Sequence, residues 1–210
     1  MYKKKSLFVT FEGIEGSGKS YLSRKLYSFL KKKKLPVILT REPGGTPSAE
    51  KIRKLLLSGK KDKFLSTTDT LLYLAARNEH FIKYIKPNLI KNKIILCDRF
   101  IDSTIAYQVY AKGVNINLVE IAHKCILGKF RPDLTFILKV SNKKSRIRLK
   151  KRKVINRYDK FSKLFYQRAQ NAFIKIAKKE KRRCIVVDNS LDSPKIEKII
   201  LNKFIELLNK

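Results

Sequence analysis

Apolar runs and amphipathic stretches alternate along the whole chain. Short runs rich in β-branched and aromatic residues predict five buried strands, at Leu7–Phe11, Val37–Thr40, Lys93–Asp98, Asp133–Val140 and Cys184–Asp188. Apolar residues three and four positions apart predict helices, at Leu22–Leu30, Ala49–Leu57, Thr67–Ile85, Asn117–Leu127 and Pro194–Leu208. This alternation indicates an α/β fold in which right-handed helical crossovers join five parallel strands. The 210 residues show neither repeats nor linkers, which predicts one domain spanning 1–210.

The junction between the first strand and the first helix reads GIEGSGKS, from Gly13 to Ser20. This is the phosphate-loop pattern G-x-x-x-x-G-K-[ST], and the dinucleotide-binding order G-x-G-x-x-G is absent. Glycines let the backbone N–H groups turn inward as an anion nest, and the next helix adds its positive N-terminal end. Lys19 would place a charge on the outer phosphates, and the Ser20 hydroxyl would bind Mg²⁺. The sequence therefore predicts a nucleoside triphosphate site.

The chain carries a formal net charge of +33, which raises the hypothesis of nucleic-acid binding. Lysine outnumbers arginine 37 to 13, however, and the lysines lie along the whole chain rather than on one element. We interpret the charge as a compositional feature, of the kind that an AT-rich genome produces. We therefore expect nonspecific adhesion to polynucleotides at low salt and no dedicated nucleic-acid partner.

Hydropathy and cysteine usage narrow the class of protein further. No stretch approaches eighteen uninterrupted apolar residues, so we expect no membrane span. The basic and then apolar N-terminus leads into the phosphate loop rather than a cleavage site, which argues against a signal peptide. The cysteines are odd in number and scattered, at Cys97, Cys125 and Cys184. They fit free thiols in a reducing compartment, and we expect a cytoplasmic protein.

Charged side chains follow the second predicted strand, where open α/β sheets bind ligands. The turn Arg41–Thr46 reads REPGGT, and its proline and paired glycines shape a rigid backbone that a ligand can approach closely. A plain strand-to-helix turn does not need Arg41 there, so a functional role is favoured over a structural one. Arg53, on the next helix, fits a surface charge and an anion ligand equally well.

Further candidates lie on the third predicted helix, at the end of the third predicted strand and on the fourth predicted helix. Tyr73 and Arg77 stand four apart on one helix face, where a ring and a guanidinium could hold a nucleobase, although a core tyrosine and a surface arginine give the same pattern. Asp98 ends a buried strand and suits a ligand of magnesium-bound water or a base, and the adjacent Arg99 suits a phosphate. The isolated His123 fits a structural role.

The region between the last two predicted strands is the most basic. Lys139–Lys153 carries nine positive side chains and no acid, and Arg157 and Arg168 follow on either side of Asp159. Such a run is usually a solvated surface. Mobile basic segments beside a phosphate loop also act as lids over the transferred phosphoryl group, so the segment 143–160 is a candidate lid.

Four motifs in this order, FEGIEGSGKS, TREPGGT, LAAR and DRF-x-DS-x-x-AYQ, resemble the bacterial thymidylate kinase family over almost the whole chain. The resemblance implies a five-stranded parallel sheet flanked by helices, of the P-loop nucleoside monophosphate kinase type, with a short basic lid. It implies that ATP phosphorylates dTMP to dTDP, in the pathway to dTTP, with Mg²⁺ and usually in a homodimer. It also implies that eight residues hold the ATP phosphates: Gly13, Ile14, Glu15, Gly16, Ser17, Gly18, Lys19 and Ser20.

The same resemblance assigns the acceptor side residue by residue. Asp98 and Arg99 match positions between the donor and acceptor phosphates, and Arg41 and Arg53 match positions near the acceptor phosphate. The remaining positions match those that contact the nucleoside: Tyr73 (usually Phe) stacks on thymine, Arg77 bonds the thymine edge, Thr104 and Gln108 face the base, Tyr107 crowds the sugar 2′ position, and Glu15 approaches the 3′-hydroxyl.

Some family members place a catalytic arginine in the phosphate loop, and this chain has none there. The resemblance then implies that a lid arginine supplies that charge, with Arg148, Arg152 and Arg157 as candidates. Asn156-Arg157-Tyr158-Asp159 departs from the usual Asp-Arg-x-Glu. The expected mechanism places Lys19, Arg99 and a lid arginine around the phosphoryl group, with Mg²⁺ on Ser20 and, through water, on Asp98. A kinase for another nucleoside monophosphate and a nucleic-acid-binding P-loop ATPase remain the alternatives.

Overall fold

Five parallel strands form one sheet in the computed structural model, which describes residues 6–151, 157–191 and 194–209. The order across the sheet is β2-β3-β1-β4-β5. The strands span β1 Leu7–Glu12, β2 Val37–Arg41, β3 Ile94–Asp98, β4 Leu134–Lys139 and β5 Cys184–Asp188. Each strand predicted from the apolar runs is present within one residue at either end, and the predicted α/β class is confirmed.

Helices connect successive strands and cover both faces of the sheet. Their bounds are α1 Lys19–Lys32, α2 Pro47–Leu57, α3 Ser66–His80, α4 Lys86–Ile90, α5 Ile101–Thr104, α6 Ile116–Leu127, α7 Asn142–Lys150, α8 Lys163–Lys179 and α9 Pro194–Leu208. Two π-helical turns and one 3₁₀ turn complete them, at Phe81–Ile85, Ile105–Ala111 and Arg157–Lys160. None of the helices described is long and apolar enough to cross a membrane.

The helix predicted over Thr67–Ile85 continues further than the sequence pattern indicated. A π-helical turn extends α3, and α4 follows it directly to Ile90. Pro87 does not interrupt this path because it lies in the first turn of α4, where the missing N–H of a proline is tolerated. The sequence pattern also gave no helix for α8, whose buried Phe165, Ala169 and Phe173 stand four apart. The surrounding lysines obscured that spacing.

The core consists of apolar layers on both faces of the sheet. On β1, Leu7, Val9 and Phe11 pack with α1 and α9, whereas Phe8 packs on the opposite face with Phe81 and Phe100. This alternation follows from the period of two along a strand. A third apolar cluster, around Ile137 and Phe173, holds α8 against the sheet. Because helices cover both faces of the sheet, the polar functional groups lie at the edge where the strands end.

The strand register brings three polar residues together at the carboxyl edge of the sheet. Asp98 of β3 pairs with Arg41 of β2 on one side and with Phe11 of β1 on the other. Glu12, which follows Phe11, pairs with Ile137 of β4. The segments that follow these strands therefore begin at the same edge of the sheet. The phosphate loop lies at the centre of this edge because β1 is the central strand.

We expect Phe204→Ala to lower the free energy of unfolding by about 3–5 kcal/mol, because this fully buried ring of α9 would leave a cavity. The matched change Ile199→Ala, on the exposed side of the same helix, should cost less than about 1 kcal/mol. Urea unfolding followed by circular dichroism measures both. Equal losses would contradict the packing of α9 against the sheet.

Candidate active site

The phosphate loop links the end of β1 to the start of α1, and two of its glycines have positive φ angles that strain a residue with a side chain. Gly13 has φ of +133°, and a Cβ there would lie 2.4 Å from the Leu138 carbonyl oxygen. Gly18 has φ of +94° and immediately precedes α1, and a Cβ there would lie 2.3 Å from Asn189 Nδ2. The loop thus needs both the left-handed backbone and the missing side chain at these positions.

Lys19 folds back across this loop. Its Nζ atom donates to the Ile14 carbonyl at 2.8 Å and contacts Ser17 Oγ at 3.4 Å. Burial, and next the charge of Arg99, lower the pKa of Lys19 to about 8. A phosphate placed beside the ammonium would favour its charged form, since an opposite charge at short range raises the pKa of a lysine.

Ser20 and Asp98, the two predicted metal ligands, contact each other directly. The Ser20 hydroxyl donates a hydrogen bond to Asp98 Oδ2. Within the described residues no cluster of three histidine, cysteine or acidic side chains could hold a metal by itself. Mg²⁺ in phosphoryl-transfer sites typically has one or two protein oxygens and completes its shell with phosphates and waters. One hydroxyl and one carboxylate at the phosphate loop therefore fit that ion.

Arg99 connects the phosphate loop to the other side of the site. Its backbone φ is +74°, in the left-handed region that residues other than glycine rarely adopt. Nη1 donates to the Gly13 carbonyl at 2.9 Å and to Ser103 Oγ at 3.0 Å, and Nη2 donates to Glu15 Oε1 at 2.8 Å. The Tyr107 hydroxyl donates to the other Glu15 oxygen at 2.6 Å.

The Glu15 carboxylate is stabilised in its charged form by these neighbours. Burial alone would raise its pKa, but Arg99 and Lys19 together hold the Glu15 pKa below its ordinary value. Glu12, one turn of chain earlier, is the opposite case. Burial, and next the charge of Asp102, raise the pKa of Glu12 to about 8. At neutral pH the Glu15 carboxylate is therefore ionised, whereas Glu12, with its pKa raised to about 8, retains its proton.

One cleft opens from the phosphate loop to the far side of Tyr73. Every residue predicted to bind the acceptor lines it, together with Lys19, Ser20 and Asp98. The predicted residues in this lining are Glu15, Arg41, Arg53, Tyr73, Arg77, Arg99, Thr104, Tyr107 and Gln108. Residues distant in sequence thus meet in one cleft.

Arg41 and Arg53 are two further cations of the cleft lining. Arg41 Nη2 donates to both carboxylate oxygens of Glu50, at 2.9 and 3.1 Å, and its side chain is half exposed. Arg53 Nη1 donates to the Pro43 carbonyl at 2.7 Å. Both alternatives for Arg53 were open from sequence, and the structure places it in the cleft lining.

Aromatic and amide groups close the end of the cleft away from the phosphate loop. The half-buried Tyr73 ring stands edge-on to Tyr158, with centroids 6.1 Å apart. Gln108 Nε2 donates to the Tyr158 hydroxyl at 3.4 Å. Tyr158 belongs to the segment predicted as a lid, so this segment supplies part of the cleft wall beside the predicted base-site residues Tyr73 and Gln108.

Arg77 is almost fully buried, and protein acceptors surround its guanidinium. Nε donates to Glu42 at 2.8 Å, and Nη2 lies 2.7 Å from the same carboxylate and donates to the Phe100 carbonyl at 2.9 Å. Nη1 lies 2.7 Å from both Thr104 Oγ1 and His123 Nε2. A direct bond from Arg77 to a nucleobase therefore stays a prediction, and it would require one of these N–H groups to be shared.

The three lid arginines differ in what the structure says of them. Arg148 Nη1 donates to the Gly16 carbonyl of the phosphate loop at 2.8 Å, and Nη2 donates to the Asn189 carbonyl at 2.7 Å. Arg152 lies outside the described residues. Arg157, predicted to be catalytic, is instead buried in an ion pair with Asp69 of α3, which also binds Lys112. A role for Arg157 at the phosphoryl group would require this pair to open.

Sequence reasoning missed several residues that hold the site together. Ser145 Oγ donates to the Glu15 carbonyl at 2.8 Å, and Asn189 Nδ2 donates to the Ser17 carbonyl at 2.8 Å. Asn189 directly follows β5, so the rule that selected Asp98 could have selected it as well. Glu42 was noted only as a charged neighbour of Arg41. His123 was isolated in sequence, and nothing there indicated its contact with Arg77.

This chain is similar in sequence and in architecture to thymidylate kinases. The thymidylate kinase family model matches residues 11–200. A thymidylate kinase of Wolbachia pipientis wMel is 43% identical over 202 residues, covering 92% of this chain and 100% of that protein. A thymidylate kinase of Acholeplasma laidlawii (strain PG-8A) is 39% identical over 204 residues, covering 96% and 100%.

The architecture agrees with a solved structure as well. The crystal structure of thymidylate kinase from Ehrlichia chaffeensis matches this fold with a TM-score of 0.77 at 36% identity, and the match covers 96% of this chain and 99% of that chain. The resemblance drawn from the four motifs is thereby confirmed over nearly the whole length. The chain belongs to the thymidylate kinase family.

Proposed function

We propose that this protein transfers the γ-phosphoryl group of ATP to the phosphate of dTMP, releasing dTDP and ADP on the route to dTTP. The observation that carries the proposal is the continuity of the cleft. The phosphate-loop residues Lys19 and Ser20 and the base-site candidates Tyr73 and Thr104 line the same space. Membership of the thymidylate kinase family supports dTMP as the acceptor.

Transfer of a phosphoryl group between two phosphates requires in-line placement of the reactants and positive charge near the reacting oxygens. It requires little covalent chemistry from the protein. Lys19 and Arg99 are two cations of the same cleft, and the charge of Arg99 contributes, after burial, to the lowered pKa of Lys19. Phosphates between them would relieve that repulsion. The acceptor phosphate is itself the nucleophile and is largely ionised near neutral pH, so the reaction needs no strong general base.

The acceptor would lie with its phosphate near Arg41 and Arg53 and with its base near Tyr73. Arg41 and Arg53 are the cations there that suit the acceptor phosphate, and the Tyr73 ring suits the face of a pyrimidine. Glu15 holds the Tyr107 hydroxyl, which places a carboxylate and a bulky ring together where a sugar would pass. This supports the role of Glu15 at a 3′-hydroxyl and the exclusion of a 2′-hydroxyl by Tyr107.

Ser20 and Asp98 are the residues that would hold Mg²⁺, which would neutralise charge on the donor phosphates when bound. We further propose that 143–160 acts as the lid within a single domain. Arg148 is the described lid arginine in contact with the phosphate loop, which supports it as the source of positive charge there. We favour Arg148 over Arg157 for this role, because the Arg157 guanidinium is engaged in the buried ion pair with Asp69.

The assembly and the location of the protein are proposals as well. Leu71 on α3 and Ile121 on α6 expose 50% and 64% of their surface, and these two helices pack against each other. Exposed apolar side chains on adjacent helices support a homodimer through this face. All three cysteines are free, which supports a reducing, cytoplasmic location.

The decisive assay is ADP release from Mg·ATP with dTMP, dUMP, dCMP, dGMP and AMP supplied separately. We expect strong release with dTMP and a loss of about 10²–10³-fold in kcat for Lys19→Ala, because one preorganised charge is removed. Lys25→Ala, an exposed lysine on the same helix, is the control and should retain full turnover.

Turnover with a different monophosphate would leave the fold assignment unchanged, but it would contradict the base-binding roles proposed for Tyr73, Thr104 and Gln108. ATP hydrolysis stimulated by polynucleotide, without acceptor-dependent release, would instead favour a nucleic-acid-dependent ATPase.

The two described lid arginines can be separated by mutation. We expect Arg148→Ala to lower kcat by about 10²-fold with little change in stability, since its guanidinium lies on the phosphate loop. We expect Arg157→Ala to lower the free energy of unfolding by about 3 kcal/mol, because it breaks a buried ion pair. Steady-state kinetics and urea unfolding measure both. A stable Arg157→Ala enzyme with the larger loss of kcat would return the catalytic role to Arg157.

The dimer face is tested by light scattering coupled to gel filtration. We expect the wild-type protein to elute at twice the chain mass and Leu71→Glu to shift towards the monomer, because a buried charge at a dimer face is costly. Ile199→Glu, on an exposed part of α9, should leave the mass unchanged. A wild-type mass of 24.5 kDa would contradict the proposed dimer.

A further inference from the structure

Glu12 is a buried acid that the proposed mechanism does not use. It ends β1 immediately before the phosphate loop, and none of its surface is exposed. It is not among the described residues that line the cleft. Its carboxyl group contacts the segment that follows β3 instead, which indicates a role other than direct contact with a nucleotide.

The Glu12 carboxyl group holds the start of α5. Oε1 accepts hydrogen bonds from the Phe100 N–H at 2.7 Å and from the Ser103 N–H at 3.3 Å. Oε2 lies 2.5 Å from Ser103 Oγ. The first N–H groups of a helix have no partner within that helix, so an acceptor from another element must supply one. Here the acceptor comes from the central strand of the sheet.

These hydrogen bonds bear on Arg99, whose backbone has a φ of +74°. Two planar peptide groups flank the Arg99 Cα atom, and their orientations determine φ and ψ at that residue. The N–H of the first donates to the Phe11 carbonyl at 3.0 Å, and the N–H of the second, which belongs to Phe100, donates to Glu12. Two consecutive residues of β1 therefore hold both peptide groups.

The main chain of β1 cannot supply the second of these acceptors. After β1 the chain turns into the phosphate loop at Gly13, where φ is +133°. The carbonyl of the peptide group after Arg99 accepts from Cys97 Sγ at 3.1 Å, but a thiol is a weak donor. The Glu12 carboxyl group is therefore the stronger of the two contacts that hold this peptide group.

The conformation of Arg99 determines where its guanidinium lies. A left-handed residue with a side chain persists only where its surroundings fix its backbone. The guanidinium donates to the Gly13 carbonyl at 2.9 Å and to Glu15 Oε1 at 2.8 Å. Those contacts hold the far end of the side chain, whereas Glu12 holds the backbone from which it starts. A change of φ at Arg99 would turn the side chain away from the phosphate loop.

Glu12 is suited to this role as a neutral group rather than as a counter-ion. Burial, and next the charge of Asp102, raise the pKa of Glu12 to about 8, so its carboxyl group is mostly protonated at neutral pH. Asp102 is itself engaged, since its two oxygens accept from Arg183 at 2.8 Å each. A neutral carboxyl group, like a carboxamide, has one oxygen that accepts and a second group that donates. A glutamine should therefore replace Glu12, whereas an apolar side chain should not.

We propose that Glu12 is a positioning residue for phosphoryl transfer: its carboxyl group accepts from the N–H groups of Phe100 and Ser103, fixes the left-handed backbone of Arg99, and so keeps the Arg99 guanidinium at the phosphate loop. This inference rests on the proposed function, in which Arg99 acts on the transferred group. Glu12 touches neither nucleotide in this assignment and acts through Arg99.

Two substitutions at position 12 separate the acceptor from the bulk of the side chain. Glutamine retains an oxygen for the two N–H groups, whereas leucine has a similar size and no polar atom. We expect Glu12→Leu to lower kcat about 10²-fold, because a displacement of about 1 Å in a reacting arrangement has that cost. We expect Glu12→Gln to retain kcat within about threefold, and KM for ATP to change less than about threefold in both variants, since the lost interaction acts in the transition state.

Thr10→Val is the matched control on the same strand. Thr10 is fully buried, lies two residues before Glu12 on the same face of β1, and is hydrogen-bonded to Thr135 Oγ1 at 2.8 Å. Its replacement should lower the urea midpoint of unfolding and leave kcat within about twofold of wild type, because the bond that it removes is remote from Arg99.

A double-mutant cycle tests whether Glu12 acts through Arg99. We expect Arg99→Ala alone to lower kcat about 10²–10³-fold, because it removes a preorganised charge. Glu12→Leu in the Arg99→Ala background should lower kcat by no more than about a further threefold, since the guanidinium that Glu12 positions is already absent. Acceptor-dependent ADP release from Mg·ATP and dTMP measures all of these rates.

Several results would overturn the inference. Losses that multiply in the double mutant would show that Glu12 acts independently of Arg99. Equal kcat values for Glu12→Leu and wild type would show that no acceptor is needed, and a similar loss in Thr10→Val would reduce the effect to packing in β1. If Glu12→Leu does not fold, Glu12→Gln decides: turnover near that of wild type supports a neutral acceptor, and a loss of about 10²-fold contradicts it. A wild-type protein without acceptor-dependent ADP release would defeat the proposed function itself, which differs from a failure confined to the variants.

Discussion

The guanidinium of Arg99 is the contact on which the organisation of the site depends. It reaches from the end of β3 to the Gly13 carbonyl and the Glu15 carboxylate of the phosphate loop, and to Ser103 on the acceptor side. Two of these groups belong to the phosphate loop and the third to α5, and the Arg99 backbone that joins them is in the left-handed region. One cation thus joins the phosphate loop to α5 and pairs with the Glu15 carboxylate of the loop.

Paired charges extend this principle through the interior. The chain has 50 basic and 17 acidic side chains, so carboxylates are scarce. Four of the described buried carboxylates each hold an arginine, in the pairs Glu15–Arg99, Glu42–Arg77, Asp69–Arg157 and Asp102–Arg183. A buried pair of this kind gains little stability over an apolar pair, but breaking it is costly because one charge is left unpaired. These pairs therefore act mainly to fix where the arginines are, and two of them, Glu15–Arg99 and Glu42–Arg77, line the cleft.

Different parts of the site could be predicted from sequence to different degrees, for identifiable reasons. The five strands and the phosphate loop were predictable because each depends on residues adjacent in the chain: an apolar run, or glycines before Lys19 at a fixed spacing. The placement of Arg41 and Asp98 also followed, since the carboxyl ends of parallel strands meet at one edge. By contrast, α8 was missed because its apolar positions are embedded among lysines, and the ion pair of Arg157 with Asp69 could not be predicted because a basic run does not show where its carboxylate partners lie.

The sequence by itself determined the class of this protein: the α/β order, the nucleotide loop, and the family to which the four motifs point. Only the tertiary structure decided which side chains act on one another. Asp69 and Arg157 are separated by 88 positions, and Arg77 and His123 by 46. Neither pairing has a local pattern, because the contacts depend on which helices the sheet brings side by side. Local spacing encodes elements and loops, whereas the choice among possible partners for a buried charge depends on distances that only the folded chain defines.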